Sequence, residues 1–129
     1  MADNAQTIID LNQRLLNSIV QADWNAYAEL CDATLTCFEP EARGHLVEGM
    51  PFHRFYFDLG ASKGPVHVTM ASPHVRMLGD SAALICYVRL VQKLDGNNSP
   101  VTAHVEETRV WQKINGQWKH VHFHRVPLA

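Results

Sequence analysis

The chain has 129 residues, of which 47% are hydrophobic and 19% are charged, and it carries a formal net charge of -2 with a pI near 6.4. This length and hydrophobic fraction predict one globular domain, spanning residues 1–129, with a core of its own. The acidic balance excludes the basic surface that nucleic-acid binding requires. No apolar run approaches the roughly 20 residues that span a bilayer, so we expect no membrane partner.

The N-terminus and the cysteines bear on the cell compartment. Residues 1–10 lack the basic and apolar regions of a signal peptide. The three cysteines, Cys31, Cys37 and Cys86, are an odd number without CxxC spacing. Buried free thiols are therefore expected rather than disulfides, and both observations favour a cytoplasmic protein.

Helices are predicted in the first part of the chain. Residues 4–23 carry apolar side chains at helical spacing, and Asp3 is a candidate N-cap for this long helix. Asp23 is the candidate N-cap of a second, short helix over residues 24–31. A brief strand follows over residues 34–40.

The remainder of the chain predicts one more helix and then strands. Pro51 suits the first position of a short aromatic helix. Four runs rich in β-branched and aromatic residues then predict long strands. They cover residues 66–78, 81–94, 101–114 and 117–126, and Asn115-Gly116 is a hairpin turn between the last two. Helices followed by an antiparallel meander define an α+β class, with the long helix cradled by a curved sheet.

Three arginines continue apolar rows on the last three predicted strands. Successive residues of a strand face opposite sides, so residues two apart share a face. The rows are Ile85, Tyr87, Arg89 and Val91; Val105, Glu107, Arg109 and Trp111; and Val121, Phe123 and Arg125. If these rows face the interior, the three guanidinium groups converge there.

Converging guanidinium groups are costly unless they are paired. Glu107 is the expected partner of one arginine, and Glu39, Glu41 and Glu106 are candidates for the others. The remaining positive charge predicts an anionic ligand, because the guanidinium fork matches a carboxylate. The alternative is that each arginine reaches out at its strand end as an ordinary solvated or salt-bridged residue.

The same alternation places His120, His122 and His124 together on the opposite face. Such a row could bind zinc or copper, but a flat strand separates side chains at i and i+2 by about 7 Å. We therefore interpret the histidines as exposed or interface residues and expect no metal and no other cofactor. Leu84, Cys86 and Leu90 make their strand apolar on both faces, which indicates an assembly packed against the back of the sheet.

Several segments together resemble a known family, the association or hub domain of calcium/calmodulin-dependent protein kinase type II. They are "FEPEA", "LVEGM", "FHRFYF", "EETRVW" and "HFHR", within a similarity that runs from about Ile8 to Arg125. The resemblance implies an NTF2-like cone of curved sheet wrapped on a long helix. It also implies self-assembly, through dimers that close into two stacked rings holding kinase domains. The loop "DLGASKGP" is shorter than the loop it resembles in the family. Because this difference could alter the contacts within a ring, the number of subunits is left open.

The resemblance further implies an arginine-lined pocket that binds a small carboxylate. The site residues it indicates are Arg89, Arg109 and Arg125, with His53 and Tyr27. We expect Arg109 and Arg125 to bind the anion and Arg89 to lie deeper or to pair with an acid such as Glu107. Trp111, on the Arg109 row, is a further candidate for ligand contact. Kinase domains are expected partners only if this chain is part of a longer one.

A free-standing enzyme, similar to ketosteroid isomerase, is the alternative function. NTF2-like folds also host isomerases and dehydratases, and this chain would act on a small anionic substrate. His53, Tyr27 and Glu107 would then supply acid–base chemistry, because histidine titrates near neutral pH. Three arginines would weaken any neighbouring carboxylate as a base. We therefore expect binding rather than catalysis and assign no catalytic residue.

Overall fold

The computed structural model describes residues 4–128. Its helices are α1 (Asn4–Val20), α2 (Trp24–Leu30) and α3 (Pro51–Asp58), and a 3-10 turn spans Pro40–Ala42. The side chain of Asp23 caps α2 by accepting the Ala26 N–H at 3.1 Å, as predicted. Pro51 begins α3, also as predicted. The proposed cap at Asp3 lies outside the described residues.

Six strands form one sheet in the order β2-β1-β6-β5-β4-β3. They are β1 (Cys31–Phe38), β2 (Val47–Glu48), β3 (Val66–Met77), β4 (Ala82–Leu94), β5 (Pro100–Ile114) and β6 (Gln117–Pro127). The antiparallel meander from β3 to β6 is confirmed. Asn115 and Gly116 both have positive φ, as a two-residue hairpin turn requires. In contrast to the antiparallel sheet that we expected, β1 lies parallel to β6.

Helix α1 packs against β3 and β4 and supplies much of the core. Ile8, Leu15 and Leu16 are completely buried. Asn12 is buried beside them, where its side-chain oxygen accepts the indole N–H of Trp111 at 3.0 Å. The predicted α+β arrangement is therefore confirmed, with Trp111 tied to the long helix. None of the helices within residues 4–128 is long and apolar enough to cross a membrane.

The inward rows of β4 and β5 follow the predicted alternation. Tyr87 and Arg89 are buried on β4, and Glu107 and Arg109 are buried on β5, while their sequence neighbours are half-buried or exposed. These four side chains face the same interior. The strands therefore bring guanidinium, carboxylate and phenol groups together at one end of the core.

Strand β6 departs from simple alternation at Val121. Val110 of β5 pairs with His122 and Trp111 pairs with His120, so Val121 is an extra residue in a β-bulge. The bulge turns His120 inward, where it is completely buried and stacks on Phe123 with ring centroids 5.5 Å apart. The prediction that the three histidines line one face is therefore wrong.

Candidate functional site

A cavity of about 200 Å³ opens where α2 and α3 meet the inward face of the sheet. Its lining includes the predicted Tyr27, His53, Arg89, Arg109 and Arg125, together with Ile19, Glu39, Glu41, Tyr56, Phe57 and Phe123. Glu107 lies among the arginines without lining the cavity itself. Trp111 does not line the cavity, because its side chain is held in the core by Asn12. The cavity therefore combines an arginine-rich floor with aromatic and aliphatic walls.

Glu107 joins all three arginines. Its Oε1 accepts hydrogen bonds from Arg109 Nη2 at 3.1 Å and from the Tyr87 hydroxyl at 2.6 Å. Its Oε2 lies 3.2 Å from Arg89 Nε and 3.7 Å from Arg125 Nε. Burial by itself would raise the pKa of this carboxyl, but the guanidinium groups of Arg109 and Arg89 outweigh burial and lower it. Glu107 is therefore a carboxylate shared among three cations.

Arg109 is the most deeply buried of the three arginines, with 1% of its surface exposed. Its Nε donates to the Tyr87 hydroxyl at 2.9 Å, and its Nη1 lies 3.4 Å from His120 Nε2. Its guanidinium carbon sits 4.3 Å from the centre of the Phe123 ring. Arg109 thus takes the deepest position, while Arg89 is paired with the acid Glu107, the second of the two arrangements expected for it. With all three of its nitrogens engaged, Arg109 is built into the floor of the cavity.

Arg89 and Arg125 are less completely bonded. Among residues 4–128, Arg89 makes one ion pair, to Glu107, whose geometry is not that of a hydrogen bond. Arg89 Nε, Arg125 Nε and Glu107 Oε2 are buried atoms without a hydrogen-bond partner in this part of the chain. Buried polar groups are normally hydrogen-bonded. Arg89 and Arg125 both line the cavity, and they are the two of the three guanidinium groups whose hydrogen bonding within residues 4–128 is incomplete.

The outer part of Arg125 meets two acids at the mouth of the cavity. Its Nη1 donates to Glu41 Oε2 at 2.7 Å and to Glu39 Oε2 at 3.4 Å. Both acids were candidates from the sequence. Glu106, the third candidate, is exposed on the opposite face of β5 and is not a partner.

His53 and Tyr27 border the cavity as uncharged groups. Burial, together with the charge of Arg109, lowers the pKa of His53 to about 4. Burial raises the pKa of the Tyr27 hydroxyl, whose ring lies 6.0 Å from that of His53. A neutral imidazole with so low a pKa is a weak base at neutral pH, which argues against the alternative in which His53 supplies acid–base chemistry. The geometry suits hydrogen bonding better than acid–base catalysis.

One group of potential metal ligands occurs within residues 4–128. Atoms of Cys37, Glu39 and His53 lie within 4.8 Å of one another. However, Cys37 approaches Nε2 of the ring and Glu39 approaches Nδ1, on opposite sides of the imidazole. Burial, and then the charge of Glu39, raises the pKa of the Cys37 thiol to about 12. The thiol therefore stays protonated at neutral pH, whereas a metal ligand must be a thiolate. With Arg109 and Arg125 nearby, these residues do not fit a divalent cation.

Tyr87 and His120 contribute to the site but were not among the predicted site residues. Tyr87 shares the inward row of Arg89, so its alternation was a usable signal. His120 reaches Arg109 only because of the bulge at Val121, and no local sequence pattern indicates that bulge. Both residues hold the floor in place rather than line the cavity.

The helices and the six-stranded sheet form an NTF2-like α+β fold. A protein of the NTF2-like superfamily from Salmonella enterica, 22% identical, shares this fold with a TM-score of 0.77 over 97% of this chain and 91% of that chain. The family model described as the calcium/calmodulin dependent protein kinase II association domain matches residues 4–129. The chain therefore belongs to that family.

Two relatives illustrate the similarity. The chain is 50% identical over 122 residues to the delta subunit of calcium/calmodulin-dependent protein kinase type II from Oryctolagus cuniculus. That match covers 93% of this chain but 23% of the rabbit protein. The hub homology domain of this kinase from Chlamydomonas reinhardtii is 48% identical, with a TM-score of 0.93 over 99% of this chain and 100% of that chain.

Proposed function

We propose that this chain is an oligomerisation domain that assembles into a closed stacked ring and binds a small carboxylate in each subunit. Membership of the association-domain family supports the assembly, and the pocket geometry supports the ligand. The chain spans less than a quarter of the length of its rabbit relative. Attachment of kinase domains to the ring and a cytoplasmic location are parts of the same proposal.

The back of the sheet is the surface that best suits contact between copies. Leu84, Val88 and Leu90 of β4 and Val110 of β5 are only half-buried within one chain. Phe38 and Val126 are 40% and 47% exposed. An apolar face of this kind is characteristic of an association surface.

Native mass spectrometry tests the assembly. We expect a single species of about a dozen subunits, as closed rings of heterologous contacts allow. Leu90→Lys places a charge on this face, where the paired residues of the adjacent strands are Thr69 and His104, and should reduce the mass, whereas Asn97→Lys, in the exposed β4–β5 turn, should not. A wild-type monomer would contradict the ring, and full assembly of Leu90→Lys would contradict contact through this face.

The observation that carries the carboxylate site is the incomplete bonding of Arg89 and Arg125 beside Glu107. A ligand carboxylate would supply the acceptors that these buried donors lack.

Calorimetric titration with butyrate tests this site, with n-butanol as the uncharged ligand of equal chain length. We expect butyrate alone to bind. Arg89→Ala should weaken its binding at least about tenfold, which corresponds to the loss of a charge-assisted hydrogen bond. Arg76→Ala, at an exposed position of β3, is the matched control. Unchanged affinity in a folded Arg89→Ala protein, or equal binding of butanol, would contradict the carboxylate site.

A further inference from the structure

The formal charges in the pocket already cancel without a ligand. Three guanidinium groups and three carboxylates meet there, belonging to Arg89, Arg109, Arg125, Glu39, Glu41 and Glu107. An incoming anion therefore adds a negative charge that no uncompensated cation balances. Buried charges are tolerated when they are paired. Binding of an anion thus requires that one of the three carboxylates move out of the pocket.

The three acids are not equally able to leave. Glu107 is completely buried among the arginines, and the side chain of Glu39 is 9% exposed. The side chain of Glu41 is 35% exposed, and within residues 4–128 its carboxylate pairs with Arg125 alone. It projects from the 3-10 turn, whose neighbours Pro40 and Arg43 are exposed. Rotation of the Glu41 side chain into solvent therefore disturbs little packing.

Glu41 also occupies the position that a ligand carboxylate would take. Its two oxygens accept from Arg125 Nη1 at 2.7 and 3.0 Å, which is the geometry of a charge-assisted carboxylate pair. The charge of Glu41 also repels that of Glu39. Burial raises the pKa of Glu39, and the nearby charge of Glu41 raises it further. Departure of Glu41 would relieve that repulsion.

We propose that Glu41 is an internal competitor for Arg125, and that the pocket takes a small monocarboxylate in exchange for it. This inference rests on the proposed carboxylate-binding function. Once Glu41 has turned outward, three guanidinium groups and two carboxylates leave one positive charge, which a monoanion neutralises. A dicarboxylate would place a second charge in a cavity of about 200 Å³ beside Glu39 and between apolar walls such as Phe57 and Phe123. An uncharged tail suits those walls.

Butyrate and succinate, which have the same number of carbon atoms, are the probes for calorimetric titration. Glu41→Gln removes the competing charge and should tighten butyrate binding by about tenfold, the gain expected when one ion pair no longer has to be broken. Glu48→Gln makes the same charge change at an exposed position of β2 and should leave the affinity unchanged. In an Arg125→Ala background, the effect of Glu41→Gln should disappear, because the two residues act on one contact. The wild-type protein should bind butyrate more tightly than succinate.

The outcomes separate this inference from the function on which it rests. If the wild type binds butyrate but Glu41→Gln does not bind it more tightly, or if Glu48→Gln tightens binding equally, then Glu41 is not a competitor. The carboxylate pocket itself would not be contradicted by either result. Equal or tighter binding of succinate would overturn the choice of monocarboxylates. Absence of binding in both wild type and Glu41→Gln would overturn the pocket itself together with this inference.

Discussion

At Glu107, burial and charge act in opposite directions. Removing a carboxylate from water costs several kcal/mol, and this one has no exposed surface. Arg109 and the Tyr87 hydroxyl satisfy one oxygen, and Arg89 stands closest to the other. The three guanidinium groups would repel one another without this shared anion. Glu107 is therefore needed for the stability of the pocket.

Glu107→Gln should lower the free energy of unfolding by about 3 kcal/mol, because it breaks a buried charge network while keeping the size of the side chain. Glu106→Gln is the matched control, since Glu106 is adjacent to Glu107 in sequence but is exposed on the other face of β5. That change should stay within about 0.5 kcal/mol. Urea unfolding at a fixed protein concentration measures both. Equal effects of the two substitutions would show that the network at Glu107 is not stabilising.

Among the elements, β4 and β5 could be predicted from sequence and β6 only in part. The two-residue alternation is unbroken in β4 and β5, so Arg89, Glu107 and Arg109 were placed correctly. In β6 the bulge at Val121 reverses His120 but leaves Phe123 and Arg125 inward. A bulge is set by pairing with the neighbouring strand, and the local sequence carries no periodicity that reveals it.

The mouth of the pocket depends on contacts between distant elements. Glu39 and Glu41 were recognised only as candidate partners, because nothing near them in sequence specifies Arg125. Their positions follow from the parallel pairing of β1 with β6, which the chain order of helices and strands does not indicate. Alternation picked out the three arginines but left open whether their rows face inward, and the family resemblance then implied the pocket.

For the molecule as a whole, two buried histidines connect stability to pH. Burial, and then the charge of Arg109, lowers the pKa of both His53 and His120 below 6.5. As the pH falls below 6.5, the unfolded chain therefore binds more protons than the folded chain does. Lowering the pH in this range favours unfolding. The low pKa of Glu107 acts in the same direction below 4.5. Glu39, whose pKa is raised, acts oppositely and becomes more favourable as the pH falls.

The free energy of unfolding should therefore fall as the pH is lowered from 6.5 towards 5. Each histidine contributes up to about 1.4 kcal/mol per pH unit within this window. His120→Gln should remove one histidine's contribution to the dependence of the free energy of unfolding on pH. His74→Gln, at an exposed position of β3, should leave that dependence unchanged. Urea unfolding at several pH values across this range, at constant protein concentration and ionic strength, measures the free energy of unfolding. A wild-type stability that does not vary between pH 6.5 and 5 would contradict this account.

The parallel pairing of β1 with β6 also predicts that the strands pair in a particular order during folding. Strands β3 to β6 pair with their neighbours in sequence, so their contacts close short loops. Contacts such as Thr36 with His122 join residues 86 positions apart, and the entropy of closing that loop is lost before any contact forms. The mouth of the pocket, where Glu41 meets Arg125, is completed in the same step. We therefore expect β1 and β5 to expose unpaired edges during synthesis until β6 has emerged, and to favour aggregation during that interval.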